Sequence, residues 1–268
     1  MEEYLKANRS TWDQWTRDHE KSPFYDVEGF KAGKERLKSI ELAELGDVRG
    51  KSLLHLQCHF GLDTLAWARR GAVVTGTDLS EESITLARSL SEELGIPAHF
   101  VCCDLYDLPA HLSGVFDIVF TSYGVLHWLR ELAPWGRLIA HFLKPGGIFY
   151  IVEDHPTFRM FTTEDGKTVA LANPYFFSET PNFNEMKGSY ATDFQGEAVS
   201  FYMWDHGLGD VLNSLIGAGL MIEFLHEFPF APRAKFPFMQ QGADGWWRLP
   251  DAYVQIPFLF SLQARKPA

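Results

Sequence analysis

Acids and histidines recur in this chain at the ends of apolar runs, where the backbone turns and side chains can do chemistry. Asp78 follows AVVTGT, and Asp104 follows HFVCC. A carboxylate at the first position can accept both hydroxyls of a ribose, and one at the second can accept from an exocyclic amine. His127 follows FDIVFTS in the segment SYGVLHW, His155 follows IFYIVE in EDHP, and His206 lies in MWDHG. A histidine at any of these places can take the proton of an incoming nucleophile near neutral pH. Pro156 fixes the chain's exit after His155, which makes His155 the first candidate base, ahead of His127 and His206. Tyr123 shares a turn with His127. The segment HLQCHFG offers backbone amides at a helix start, yet Gln57 and His59 stand where a diphosphate site needs close-approach glycines, and only Gly61 remains. His55, Cys58 and His59 lack a second ligand pair at zinc-like spacing, and Glu153 with Asp154 lacks a third oxygen ligand, so no metal is expected.

The elements that hold these residues follow from periodicity. Residues 3–19 carry Tyr4, Leu5, Trp12 and Trp15 in a helical pattern, SPFYD interrupts, and Phe30, Leu37, Ile40 and Leu45 resume it. From Lys51 the pattern changes. Strands are expected at 52–57, 72–77, 98–102, 116–121 and 148–153, with helices at 62–70, 80–94 and 131–143, and a turn at KPGG before the fifth strand. Ser80 can cap the second of these helices, ahead of two glutamates suited to the positive end of its dipole. Strands alternating with helices of this length imply a parallel sheet covered on both faces. Residues 155–205, rich in Phe, Tyr, Thr, Asn and Pro, break the rhythm and are too long for a simple connection. A helix at 208–218, a strand at 221–228, a second insertion at 229–252 and a strand at 253–264 complete the order.

Composition narrows the class of protein. The 268 residues carry 35 acids against 24 basic residues, a net charge of −11, with 46% hydrophobic and 22% charged residues. A chain of this size buries roughly 70–75% of its unfolded surface, which excludes disorder, collagen and coiled coil. No run approaches the ~20 apolar residues of a membrane span, and MEEYLKANRS lacks the basic start and apolar stretch of a secretory signal, so a cytoplasmic location is expected. Three cysteines, two adjacent, form no disulfide framework. The acidic balance and the lack of a Lys/Arg stripe argue against nucleic acid as partner. Aromatic residues make up 15% of the chain, enough to wall a pocket beyond the ordinary core.

Taken in order, LLHLQCHFGLDTLAWA, VTGTDLS, CCDLYDLP, FDIVFTSYGVLHWL and LKPGGIFYIVE resemble the successive motifs of class I S-adenosylmethionine-dependent methyltransferases. The resemblance covers about residues 50–155. It implies that the loop 57–61, with Gln57, Cys58 and Gly61, holds the methionine end of S-adenosylmethionine, Asp78 the ribose, and Leu79 the adenine face, with Ser80 next to it. It further gives Asp104 and Leu105 the adenine edge and Ser122 the region beside the sulfonium. WDQWTRDH resembles the N-terminal helix that closes over the cofactor in many of these enzymes, with Trp12 matching its aromatic and His19 standing where a tyrosine is usual. His55 replaces the family's first-strand acid, and Gln57 and His59 replace the first two glycines of its G-x-G-x-G.

The expectation is therefore an α/β, Rossmann-like seven-stranded, mostly parallel sheet with helices on both faces and an antiparallel last strand. Residues 1–46 form an N-terminal helical segment and 47–268 the methyltransferase domain, with the first segment and the 155–205 insertion as a cap. A small, partly apolar molecule is the expected methyl acceptor, with a homodimer open. A non-catalytic S-adenosylmethionine sensor or scaffold is the first alternative, and an NAD-dependent oxidoreductase, which needs the missing glycines, the second.

Overall fold

The computed structural model describes residues 2–163, 165–191 and 197–268. Three helices, α1 (Glu2–His19), α2 (Val27–Lys31) and α3 (Ser39–Leu45), precede the alternating region. That region runs β1 (Ser52–Leu56), α4 (Leu62–Arg69), β2 (Val73–Asp78), α5 (Glu81–Leu94), β3 (His99–Cys102), α6 (Leu108–His111), β4 (Phe116–Ser122), α7 (Leu132–Phe142) and β5 (Leu143–Asp154). The first expected insertion holds α8 (Pro156–Met160), β6 (Phe161–Thr162), β7 (Ala170–Leu171), β8 (Asn182–Lys187) and β9 (Ala198–Met203); residues 164 and 192–196 of it lie outside the described residues. After α9 (Leu208–Gly217) and β10 (Met221–Phe228), the second insertion holds β11 (Phe230–Ala231), β12 (Gln240–Gln241) and β13 (Trp247–Arg248), and β14 (Leu259–Arg265) closes the chain.

Seven strands make one sheet in the order β10-β14-β5-β4-β1-β2-β3. Strands β1 to β5 are mutually parallel, and β14 is antiparallel to both β5 and β10. The chain order reverses between β1 and β4, which opens a crevice outside their carboxyl ends. Side chains alternate across the sheet: Leu53, Phe120 and Tyr150 pack with Trp67 on one face, and Leu54, Val119 and Phe149 with Trp135 on the other. Both faces are thus apolar, as a covered parallel sheet requires.

Helix α1 lies across the hairpin β8–β9. Asn8 Nδ2 donates to the Tyr202 carbonyl at 2.9 Å while Tyr202 N donates to Asn8 Oδ1 at 2.8 Å, and Thr11 Oγ1 and Trp15 Nε1 donate to the carbonyls of Ser200 and Gly188. Trp15, Val199, Phe201 and Met203 bury their side chains between the two. Among the described residues no helix is long and apolar enough to cross a membrane.

Three boundaries differ from expectation. The strand through KPGG is continuous from Leu143, because Gly146 takes φ +76° and Gly147 packs against the carbonyls of Phe116 and Asp117, where a Cβ would not fit. The closing strand starts at Leu259 instead of 253: Tyr253 stacks on Phe238, and Val254 is 83% exposed. The helical periodicity of 30–45 resolves into the ends of α2 and α3 with non-helical chain between.

Helices α7 and α9 cross at Gly136. A methyl group there would overlap the Ser214 carbonyl, with the carbonyl carbon only 2.7 Å away, and backbone cannot rotate aside as a side chain can. Gly136→Ala should therefore destabilise the fold by about 2–3 kcal/mol, a fall of roughly 4–12 °C in Tm. Gly209→Ala on α9 meets nothing within 4 Å and should be neutral or stabilising by up to about 1 kcal/mol. Thermal unfolding of both variants checks this, and equal Tm values would contradict the close-approach reading.

Candidate active site

A cavity of about 690 Å³ opens over the carboxyl ends of β1, β2, β3 and β4. Trp12, His55, Gln57, Cys58, Gly61, Asp78, Leu79, Asp104, Leu105, Ser122, Tyr123 and His127 all line it. Twelve of the sixteen residues expected from the sequence thus share one space; His19, Ser80, His155 and His206 do not lie on its wall.

The loop after β1 keeps the backbone of a glycine-rich turn without the glycines. Gln57 and His59 adopt φ +54° and +51°, and Gly61 adopts +75°. Left-handed conformations cost a side-chain-bearing residue about 1–2 kcal/mol, so tertiary contacts must hold them. Gln57 Nε2 donates to the Val125 carbonyl at 3.1 Å. His59 Nδ1 pairs with Ser83 Oγ and its Nε2 with His19 Nδ1, each at 2.9 Å. His19, stacked on Tyr25, stands behind the cavity wall and fixes His59 from α1. Burial pushes the His19 imidazole down to about 3 and His59 well below the usual histidine range, so the pair is uncharged at neutral pH. At Gly61 only glycine fits, because a Cβ would sit 2.8 Å from the Phe100 ring.

Asp78 ends β2 with Oδ2 accepting from His59 N at 2.8 Å and Oδ1 from Ser80 N at 3.0 Å. The carboxylate lines the cavity, where its remaining acceptor capacity is open to a ligand. Burial raises its pKa to about 6, against the lowering effect of these amides. Ser80 serves as the cap of α5: its Oγ accepts from Ser83 N and donates to Asp13 Oδ1. Asp104 caps the turn that follows β3, with Oδ1 accepting from Tyr106 N at 2.7 Å, and so leaves Oδ2 toward the cavity for an outside donor. His55 is buried in β1, its Nδ1 2.8 Å from Thr64 Oγ1 and its Nε2 3.4 Å from Ser122 Oγ. Burial holds it down to about 4, so it supplies shape and hydrogen bonds without charge.

The other end of the cavity belongs to the loop after β4. Glu153 accepts from the backbone amides of Gly124, Val125 at 2.7 Å and Leu126 at 3.1 Å, which fixes that loop. Its oxygens are thereby occupied, and among the described residues no group of three His, Cys, Asp or Glu side chains converges as a metal site would require. His127 and Asp154 meet beside Gly124, with His127 Cε1 and Asp154 Oδ2 3.7 and 3.8 Å from where a Cβ on Gly124 would sit. Asp154 Oδ2 accepts from Arg233 at 2.8 Å, whereas Oδ1 is buried without a partner among the described residues. Burial first, and then Arg159 and Arg233, hold the His127 pKa well below the ordinary value. Tyr123 has φ +36° and donates its hydroxyl to Glu41 Oε2 at 2.8 Å, so it walls the cavity with its ring.

His155 lies elsewhere. One residue past Asp154 it points to the other side of the strand, where Nδ1 accepts from Thr157 N at 3.1 Å as the cap of α8 and Nε2 lies 2.9 Å from Glu227 Oε1. His206 donates from Nε2 to the Leu129 carbonyl at 2.7 Å and stacks on Phe177. Both have structural partners, and His127 is the one of the three candidate histidines on the wall of this cavity. The sequence reading did not single out Arg36, Asp63, Arg233 and Lys235, which also line the cavity. The signal for the last two was a basic pair in the segment APRAKFP of an otherwise acidic chain.

A seven-stranded sheet of this order, with acids ending β2 and β3 on one cavity wall, has the Rossmann-like architecture of methyltransferase domains. Residues 54–151 match the family model described as a methyltransferase domain. The ubiquinone biosynthesis O-methyltransferase of Chromobacterium violaceum is 32% identical over 133 residues, 50% of this chain and 54% of that protein. Its counterpart from Idiomarina loihiensis is 34% identical over 147 residues, 54% of this chain and 57% of that protein. The chain thus spans about half the length of the curated relatives it matches. An S-adenosylmethionine-dependent methyltransferase structure from Mesorhizobium loti superposes with a TM-score of 0.57 at 23% identity, covering 88% of this chain and 99% of that one. The glycopeptide N-methyltransferase MtfA, solved in complex with S-adenosylmethionine, gives 0.54 at 16% identity over 85% of this chain and 92% of that one. Over residues 54–151 the chain is thus similar to the methyltransferase domain family, and it shares the fold of these S-adenosylmethionine-dependent methyltransferase structures.

Proposed function

We propose that the protein transfers a methyl group from S-adenosylmethionine to a small-molecule nucleophile. The observation that carries this reading is the meeting of Asp78, Asp104 and the loop 57–61 on the wall of one cavity. Their chemistry fits the cofactor: a carboxylate with acceptor capacity open to the ribose, a second for an exocyclic amine, and the partnerless Gln57 Oε1 for a donor at the methionine end. Arg36 and Asp63, paired at 3.0 Å beside that loop, complement a zwitterionic amino-acid head.

When bound, S-adenosylmethionine supplies a methyl group already activated on a cationic sulfur, so the protein mainly aligns the acceptor and excludes water. Helix α1 and the hairpin β8–β9 would form the cap that excludes it, residues 1–46 acting with the first insertion over the domain 47–268. His127, uncharged at neutral pH, would take the acceptor's proton, and Asp154 Oδ1 would orient the O–H or N–H that carries it. Aromatic walls from Trp12, Tyr25, Trp128 and Tyr190 suit a partly apolar acceptor. The chain's charge of −11 supports the absence of a nucleic-acid partner, its three free thiols suit the cytoplasm, and a homodimer is compatible with the fold.

A sensor would need no proton acceptor beside the methyl site, and His127 with the orphaned Asp154 oxygen favours the enzyme. An NAD-dependent enzyme is disfavoured by the side chains of Gln57 and His59 in the pyrophosphate turn. Calorimetry should show binding of S-adenosylmethionine and S-adenosylhomocysteine and none of NAD. Binding of NAD alone would overturn the reading. Methyl transfer from labelled S-adenosylmethionine into a small-molecule extract should then follow, and cofactor binding without transfer to any acceptor would support the sensor.

A further inference from the structure

Three of the cations on the cavity wall are held by acids, and two are not. Arg36 meets Asp63 at 3.0 Å, Arg159 meets Asp205 at 2.9 Å, and Arg233 meets Asp154 at 2.8 Å. Lys38 gives Glu41 only its backbone amide, and its Nζ lies over the Trp246 ring at 5.5 Å, outside the set around Asp154. Lys235 has no ion pair or hydrogen-bond acceptor for its Nζ among the described residues; it rests 4.9 Å from the centre of the Phe158 ring, which Arg233 also covers at 4.8 Å. The side chain is half-buried on the cavity wall, in a protein whose overall charge is −11.

An ammonium group taken out of water without a counter-ion is costly to the fold, and such a group is retained where a ligand supplies the opposite charge. Burial and the neighbouring Arg159 and Arg233 push Lys235 down to about 8, which leaves it mostly protonated at neutral pH. We propose that the methyl acceptor carries an anionic group of the carboxylate kind, and that Lys235 is its counter-ion and the residue that selects it. The aromatic rings then hold the apolar body of the acceptor, the anion pairs with Lys235, and the nucleophile lies beside His127 and Asp154 on the same wall of the cavity. This inference rests on the methyltransferase reading and adds the acceptor's charge to it.

The test is calorimetry on the whole protein saturated with S-adenosylhomocysteine, using 4-hydroxybenzoate, 4-hydroxyphenylpropionate and indole-3-acetate, each against its uncharged amide. In the native protein at least one acid should bind ten or more times more tightly than its amide. Lys235→Met and Lys235→Gln should bring that acid down to the affinity of its amide without weakening amide binding or lowering Tm, and Lys235→Arg should restore the preference. Equal or absent binding of all three acids relative to their amides overturns the proposal, as does a preference that survives in Lys235→Met. S-adenosylhomocysteine affinity, measured first in the same samples, separates the two readings: if it does not bind, the methyltransferase assignment fails, and if it binds without acid selectivity, only the charge assignment fails.

Discussion

Replacing His127 with Ala should lower turnover at saturating substrates by about 10²-fold or more, with S-adenosylhomocysteine affinity unchanged to within about twofold. The asymmetry follows from position, since His127 belongs to the loop after β4, apart from the loop 57–61 and from Asp78 and Asp104. His155→Ala, by contrast, removes the cap of α8 and the contact with Glu227. It should cost about 1–2 kcal/mol of stability and leave turnover within a few-fold of native. Because burial keeps the His127 pKa well below its ordinary value, the turnover rate at saturation should stay level as pH falls from 8 to 6.5. A folded His127→Ala protein with native turnover would remove His127 as base. A loss of turnover in His155→Ala without loss of stability would return that role to His155.

These expectations differ from the first reading of the sequence, and the reason is geometric. That reading placed His155 at the active end of β5 from chain order alone. Which side of a strand a residue faces depends on where the strand leaves the sheet, and β5 carries Asp154, not His155, into the cavity. Chain order and apolar runs were enough for the seven strands, since a run such as SLLHL has one way to be buried on both faces. They were also enough for Asp78 and Asp104, because strand ends are local features. Lys235 and Arg233 could not be placed in this way. They reach the cavity from a loop that pairs across the fold, Arg233 with Asp154 and Lys235 against Phe158, over separations that no periodicity records.

Two of the departures from the motif pattern, His19 and His59, are separate oddities in the sequence and one feature in the structure. Each supplies the other's hydrogen-bond partner at 2.9 Å, and His59 in turn gives its backbone amide to Asp78. A turn that usually depends on glycine is held here by a side-chain chain running from α1 through His19 and His59 to Ser83. That chain ties the placement of the N-terminal helix to the placement of the carboxylate assigned to the ribose.

Asp78→Ala should weaken S-adenosylhomocysteine binding by at least about tenfold, and by about 100-fold if both ribose hydroxyls are held. Each hydrogen bond to a charged group contributes about 1.5–3 kcal/mol, and one alone corresponds to the lower figure. Asp107→Ala, which removes an exposed carboxylate from the same cavity rim, should leave affinity unchanged and so controls for net charge. The pH dependence carries a definite sign. With a folded pKa of about 6 against 3.8 for an ordinary aspartate, the folded state holds this proton more tightly than the unfolded chain. Asp78 therefore favours the cofactor-free fold below pH 3.8, and that contribution is lost as pH rises through the window to 6. Cofactor binding runs the other way, because ribose hydroxyls donate to the ionised form. Affinity for S-adenosylhomocysteine should be level above pH 7, fall as pH drops through 6, and lose that dependence in Asp78→Ala. Calorimetric titrations of both proteins at pH 5, 6, 7 and 8 decide it: a native affinity that is flat across the series, or an Asp78→Ala affinity equal to native at pH 7, would take the ribose contact away from Asp78.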